Sequence, residues 1–330
     1  MTDLRTQYLG LTLKSPIIAG SSGLTHTIDN LKKIASQGAG AIVLKSLFEE
    51  QIQHEAQRQI RENEAHSGFG YTEAYDLIGN YARDHQLGEY LSLIRRAKEE
   101  VDIPIIASVH CYSASEWVDF AQKMEEAGAD ALELNVFVLP VDREKSGSDY
   151  KETYLQIIEK VKASTKLPLA IKIGSYFTDM AHWITKLSYT ELDGIVMFNR
   201  FLMPDIDIEK FKLTGGARFS TDQEYYNAMR WIGILSSDVQ CDLCASTGIH
   251  HGDAVIKQLL SGAKAVQMVS ALYQHGFGEI EKANNRVREW MKAHDYERID
   301  DFRGKLSMKR ADDPASYTRV QFMKHFAGIE

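Results

Sequence analysis

Pro168-Leu-Ala-Ile-Lys-Ile173 sets a lysine inside a run of aliphatic residues. Side chains alternate across a strand, so Leu169, Ile171 and Ile173 share one face, and Ala170 and Lys172 share the other. Ala131-Leu-Glu-Leu-Asn-Val136 repeats the pattern, with Leu132, Leu134 and Val136 opposite Glu133 and Asn135. In Ala41-Ile-Val-Leu-Lys45, Ile42 and Leu44 oppose Val43 and Lys45. The simplest assignment packs each aliphatic face on helices and points the other face into a barrel.

The rest of the chain extends this unit. Further apolar runs are Pro16-Ile-Ile-Ala19, Pro104-Ile-Ile-Ala-Ser-Val109, Gly194-Ile-Val-Met-Phe198, Cys241-Asp-Leu-Cys-Ala245 and Ala265-Val-Gln-Met-Val269, making eight in all. Between them lie amphipathic stretches with helical spacing: 27–37, 115–126, 150–164, 251–261 and 279–294. Several end in a Gly turn before the next run, as at Gly38-Ala-Gly40, Gly128-Ala-Asp130 and Gly262-Ala-Lys264. A helix, a Gly turn and an apolar strand, repeated, is the βα unit. An open doubly wound sheet also alternates in this way, but eight strands in sequence favour a TIM (β/α)8 barrel. Residues 1–330 then form a single domain, with rim insertions at 46–103 and 199–240 and a C-terminal extension at 306–330.

Composition narrows the function classes. The chain has 330 residues, 38 Lys+Arg and 46 Asp+Glu, a net charge of −8. An acidic chain without a basic block argues against nucleic-acid binding. Three Cys do not staple a domain of this size and fit a reducing compartment. The opening Met1-Thr-Asp-Leu-Arg5 carries no apolar leader, and no run of about 18 apolar residues occurs. The expectation is a cytoplasmic homodimer with a small-molecule substrate, and neither nucleic acid nor membrane as partner.

On the alternation, Lys45, Glu133, Asn135 and Lys172 point into the barrel near its C-terminal end. Asn199, on the parity of Ile195 and Met197, is added to the set. Unpaired buried charges are expensive, so this polar cup is paired or holds an electron-rich, partly anionic ligand. Ala245-Ser-Thr-Gly-Ile-His-His-Gly252 follows the seventh run and Val269-Ser-Ala-Leu-Tyr273 the eighth. In many barrels the loops after strands 7 and 8 hold a phosphate. Gly215-Gly216 is either a turn or a ligand contact. Cys241-Asp-Leu-Cys244 has the C-x-x-C spacing but sits in a strand, where its cysteines face opposite sides, so it reads as structural. His250-His251 has no carboxylate or Cys cluster beside it and reads as a helix start rather than a metal site. Phe69, Tyr71 and Tyr75 either cover a ligand or pack the insertion onto the rim. Tyr317, Phe322 and Phe326 in the tail suggest docking on the barrel or on another subunit.

Together these residues resemble the class 1 dihydroorotate dehydrogenases, flavin enzymes on this barrel. The resemblance runs from Ser15-Pro16 to Phe302-Arg-Gly-Lys305. Lys45-Ser46 looks like the family's Lys-Ser after strand 2, and Glu133-Leu-Asn135 like the opening of its Glu-Leu-Asn-x-Ser-Cys-Pro-Asn motif. The resemblance implies FMN held by Ser22, Lys45, Ser46, Asn135, Lys172, Gly216, Thr247, Gly248 and Ser270. It implies a dihydropyrimidine substrate, dihydroorotate first, read by Lys45, Ser67, Asn135 and Asn199. Lys45, Asn135 and Asn199 would act in catalysis, and Lys172 would stabilise the reduced ring. The electron acceptor is left unnamed.

The chain also departs from the family. The Cys that takes the proton there falls on Val138 here, and the motif's last Asn on Pro140. Valine is no base. Ser67 in Ser67-Gly-Phe-Gly-Tyr71 stands where the family's substrate loop has Asn. His66, His110 and Cys111 are candidate replacement bases, each read first as structural. Three readings follow: dihydroorotate oxidation with another base, a flavin oxidoreductase with a different substrate, or a flavin-binding barrel without turnover.

Overall fold

The computed structural model describes residues 2–48, 72–110, 114–136 and 138–319, and of 72–83 and 114–116 the backbone alone. Eight parallel strands close into a barrel: Ile17–Ala19, Ala41–Val43, Ile105–His110, Ala131–Asn135, Leu169–Ile173, Gly194–Met197, Asp242–Ser246 and Ala265–Met268. The last strand pairs with the first, Met268 opposite Ala19, which completes the ring. A two-residue strand, Leu47–Phe48, extends the rim by pairing with Ile105–His110. These are the eight apolar runs of the sequence, so the expected (β/α)8 barrel is the fold.

Alternation divides the core in two. Ile42, Leu44, Leu132, Leu134, Leu169, Ile171, Ile173, Ile195 and Met197 join the large cluster that the helices cover. Ile18, Val43, Ile106, Ala131, Ala170, Val196, Cys244 and Ala265 form a separate cluster inside the barrel. Each strand contributes to both clusters, which leaves the C-terminal inward positions for polar residues.

An N-terminal hairpin, Thr6–Tyr8 with Leu11–Leu13, plugs the inner cluster from below. Its turn residues Leu9 and Gly10 both have positive φ, 53° and 72°, as a two-residue hairpin turn requires. Leu9 is buried against the barrel floor, and its N–H donates to Asp242 Oδ2 at 2.9 Å. Nothing in the apolar patterning marked this plug, because three-residue strands carry too little periodicity.

The helices form the outer layer. Ile28–Ser36, Ala114–Glu126, Gly147–Ser164, Gly252–Ser261 and Gly278–Ala293 lie where helical spacing placed them. Three longer ones, and the short Ser270–His275 and Ala315–Thr318, were not singled out. Thr72–Glu100 occupies the stretch after the second strand and buries Leu87, Tyr90, Ile94 and Ala97. Met180–Ser188 and Tyr225–Leu235 complete the ring before the sixth and seventh strands. After the sixth strand an antiparallel hairpin, Pro204–Asp207 with Lys212–Gly215, stands out at the rim. Tyr317 packs over Gly233 and donates its hydroxyl to Leu306 O, so this part of the tail docks on the barrel's own helix. Phe322 and Phe326 lie outside the described residues. Among the described residues no helix is long and apolar enough to cross a membrane.

Gly40 enters the second strand so tightly that an added Cβ would lie 1.9 Å from the Ser15 carbonyl oxygen. Gly88, exposed on Thr72–Glu100, has nothing within 4 Å of the same position. Gly40→Ala is expected to cost about 2 kcal/mol or more, because backbone must move. Gly88→Ala should stabilise by roughly 0.5–1 kcal/mol, as helix propensity dictates. Calorimetric unfolding of the two variants checks this, and equal effects would contradict the packing described.

Candidate active site

Three strands bring their inward residues together at the barrel's C-terminal end. Lys172 Nζ donates to Gln267 Oε1 at 2.7 Å, and Gln267 Nε2 donates to Glu133 Oε2 at 2.5 Å. Lys172 Nζ also lies 3.9 Å from Glu133 Oε1, an ion pair without a hydrogen bond. Lys172, Gln267 and Glu133 are all buried, at 7%, 1% and 1% exposure. Burial pushes the Glu133 carboxyl above its ordinary range, against the pull of Lys172 and the Gln267 donor. The amide of Gln267 serves both partners at once, its oxygen accepting from the ammonium and its nitrogen donating to the carboxylate.

A second network adjoins the first. Asn199 Nδ2 donates to Asn135 Oδ1 at 2.5 Å, and Asn135 Nδ2 donates to Ser46 Oγ at 3.4 Å. Ser46 Oγ hydrogen-bonds with Ser108 Oγ at 2.7 Å and with Ser21 Oγ at 3.0 Å. Asn199 arrives against the alternation: the sixth strand ends at Met197, Phe198 turns into the outer cluster, and Asn199 N–H donates to Ile173 O at 2.7 Å. Lys45 lies two residues past the end of the second strand, half-buried, and lines a neighbouring cavity with Ser46 and His26. Its ammonium has no ion pair or hydrogen bond among the described residues.

The third part is a cavity of about 200 Å³ over the seventh and eighth strands. Ser21, Lys172, Asn199, Arg200, Arg218, Ser220, Thr247, Gly248, Gln267 and Ser270 are among its lining. Among the described residues three cations line it and no carboxylate does. Gly248 has φ +76°, and a Cβ there would lie 2.2 Å from Tyr225 N, so the turn reaches the cavity wall only as glycine. Thr247 Oγ1 donates to Phe198 O at 3.0 Å. Ser220 N–H donates to Ser270 Oγ at 3.0 Å, and Ser220 Oγ accepts from Gly248 N–H at 3.3 Å. This wall suits a phosphate.

Of the residues singled out in the sequence, Lys172, Asn199, Thr247, Gly248 and Ser270 meet at this cavity, and Lys45, Ser46 and Asn135 lie beside it. Ser22 and Gly216 each make a local hydrogen bond. Ser22 Oγ caps the short turn Gly23–Thr25, and Gly216 N–H closes the rim hairpin on Met203 O at 2.8 Å. Ser21, one residue earlier, is the serine that lines the cavity. Val138 is half-buried on the outer cluster and offers no acceptor. His110 is buried, and its Nδ1 lies 2.6 Å from Asn135 O, so that nitrogen carries the proton. Ser67, His66, Phe69, Tyr71 and Cys111 lie outside the described residues.

Sequence reasoning missed Gln267, Ser108, Ser246, Arg200, Arg218 and Ser220. Gln267 was legible: it is a polar residue on the inward parity of Ala265-Val-Gln-Met268, as Lys172 is in its own strand. The arginines and Ser220 sit in loops, where no period marks direction. Cys241 and Cys244 are part of the seventh strand's framework, and burial pushes both thiols up, Cys241 to about 12. His251 caps Gly252–Ser261, its Nδ1 accepting from Ala254 N–H at 3.3 Å. Among the described residues no cluster suits a metal ion.

The family model for dihydroorotate dehydrogenase matches residues 3–291. The chain belongs to the dihydroorotate dehydrogenase family. The catalytic subunit of dihydroorotate dehydrogenase B (NAD(+)) from Thermoplasma volcanium is 26% identical over 327 residues, covering 94% of this chain and 100% of the relative. Its counterpart from Methanocella arvoryzae is 30% identical over 271 residues, covering 80% and 85%. The chloroplastic dihydropyrimidine dehydrogenase (NADP(+)) of Arabidopsis thaliana is 24% identical over 331 residues, covering 92% of this chain and 76% of the relative. This chain is an oxidoreductase of the dihydroorotate dehydrogenase family, and its inward polar layer is the candidate active site.

The raised Glu133 carboxyl carries a pH signature. Its contribution to stability is fully present below the ordinary value of 4.5 and is lost as pH rises through the higher folded value. Glu133→Gln removes that term. Denaturant unfolding between pH 4.5 and 8 should therefore show the native protein losing stability relative to the Gln variant as pH rises. A difference curve that is flat with pH would contradict the environment assigned to Glu133.

Proposed function

We propose that the chain is an FMN-dependent oxidoreductase that takes a hydride from a dihydropyrimidine, with dihydroorotate the first substrate to test. One observation carries this reading: Lys172 is fixed by Gln267 and Glu133 in the lining of a cavity walled by cations and hydroxyls, with no carboxylate in that lining among the described residues. The rigid Lys172 ammonium would hold the pyrimidine edge of such a cofactor and favour negative charge there. The residues present fit such a cofactor. Glu133 Oε1 is buried without a hydrogen bond, Lys45 lacks a counter-charge among the described residues, and the Gly248 turn and Ser270 hydroxyl present a phosphate wall.

Bound FMN would supply the two-electron acceptor. The chain's own residues do the rest. Lys172 holds the ring edge. Ser46, Thr247, Gly248 and Ser270 orient ring and phosphate. Lys45 would meet a substrate carboxylate, and Asn135 and Asn199, already bonded to each other, present amides to the edge of a flat heterocycle. Ser22, Gly216 and Ser67 stand in the proposal as further contacts for the cofactor and substrate.

Val138 supports a second reading. Oxidising a C–C bond removes a proton as well as a hydride, and valine does not accept one. A flavin oxidoreductase with another substrate, or a flavin barrel without turnover, answers that constraint directly. Self-association into a homodimer, in the cytoplasm, belongs to the proposal. The exposed Ile206, Ile208, Phe211 and Leu213 of the rim hairpin offer an apolar face for it. A light-scattering mass of one chain would remove the dimer.

The test is anaerobic mixing of FMN-loaded protein with dihydroorotate, and separately with 5,6-dihydrouracil, while flavin absorption is followed. Bleaching by dihydroorotate is the expected outcome and would show that a group other than Val138 takes the proton. Bleaching by dihydrouracil alone would move the substrate to the second reading. A flavin that neither compound bleaches, yet dithionite does, would overturn dihydropyrimidine oxidation.

A further inference from the structure

We propose that Arg218 is the counter-charge for the terminal phosphate of the bound cofactor, and that it sets the preference for a phosphorylated flavin over its dephosphorylated form. The inference rests on the flavin reading above and adds a specificity residue to it. It starts from a charge inventory of the cavity. Three cationic side chains line it: Lys172, Arg200 and Arg218. Lys172 is opposed by Glu133. Arg200 is opposed by Glu224, Nε to Oε2 at 2.9 Å. Arg218 has no ion pair or side-chain hydrogen bond among the described residues. The cavity therefore carries one uncompensated positive charge.

The neighbouring residues place that charge. Arg200 Nη1 donates to Ala217 O at 2.9 Å and to Arg218 O at 3.4 Å. This ties the backbone of 217–218 to the cavity wall while the Arg218 side chain stays exposed at its mouth. The lining also offers the hydroxyl of Ser270, whose oxygen accepts from Ser220 N–H and whose proton is left for a ligand. That donor is neutral and serves any oxyanion. A phosphate ester near pH 7 carries between one and two negative charges, and a guanidinium matches its oxygens in a fork. In a chain of net charge −8, a free cation at the mouth also draws an anion through an unfavourable field. The arrangement gives Arg218 work on the phosphate and none on the ring.

The experiment compares FMN and riboflavin binding to the apoprotein by quenching of flavin fluorescence, in the native chain and in Arg218→Gln. The native chain should bind FMN more tightly than riboflavin. The variant should lose at least about tenfold in FMN affinity, with riboflavin affinity unchanged and unfolding temperature unchanged. Raising salt should erode FMN binding in the native chain more than in the variant. If Arg218→Gln leaves the FMN-to-riboflavin ratio unchanged, Arg218 does not carry the phosphate, and the flavin reading stands without it. Equal loss of both ligands would also overturn the assignment, because the arginine would then act on the fold or the ring. If the native apoprotein binds neither flavin, the cofactor reading itself fails.

Discussion

A charged side chain inside an aliphatic barrel is tolerated only when a partner or a ligand meets it. Lys172 and Glu133 face inward from neighbouring strands, in register with Val196 and Ala170 of the inner cluster. Their charges are joined through Gln267, which donates to one and accepts from the other. Everything above this layer depends on it. The strands are parallel and closed, so each inward residue has a fixed height and direction. The hairpin plug with Tyr8 and Leu9 fills the barrel from below. The polar layer lies toward the C-terminal rim, which is where ligand loops lie in this fold.

That constraint explains how the site's parts divide. The strand residues are rigid, buried and mutually bonded, which suits a role held constant through a reaction. The loop residues, Thr247, Gly248, Ser220 and the two arginines, surround a space rather than filling it. The first group holds its charges among its own members. The second keeps one positive charge in reserve.

The fold was legible because alternation is a physical rule: an aliphatic face opposite a lysine has few solutions in a protein interior. Lys45, Glu133, Asn135 and Lys172 came out inward on that rule alone. Asn199 reached the site by breaking it, since the sixth strand stops at Met197 before the count arrives. Gln267 obeyed the rule and was passed over among its apolar neighbours. The N-terminal plug was invisible for a different reason, its strands being shorter than one period of evidence for any pattern. Loop residues were readable only by resemblance, because no period marks their direction. Ser21 lines the cavity beside Ser22, and Gly216, two residues before Arg218, closes the rim hairpin. The family itself was carried by short motifs whose strand positions the barrel then reproduced.

The central claim is that the Lys172–Gln267–Glu133 layer and the loops after the seventh and eighth strands hold one cofactor between them. A crystal structure of the protein grown with FMN tests it most directly. The account predicts the pyrimidine edge of the ring within hydrogen-bond distance of Lys172 Nζ, with the phosphate between the Gly248 turn and Ser270. A ring bound elsewhere, or a phosphate lying away from that turn, would contradict it.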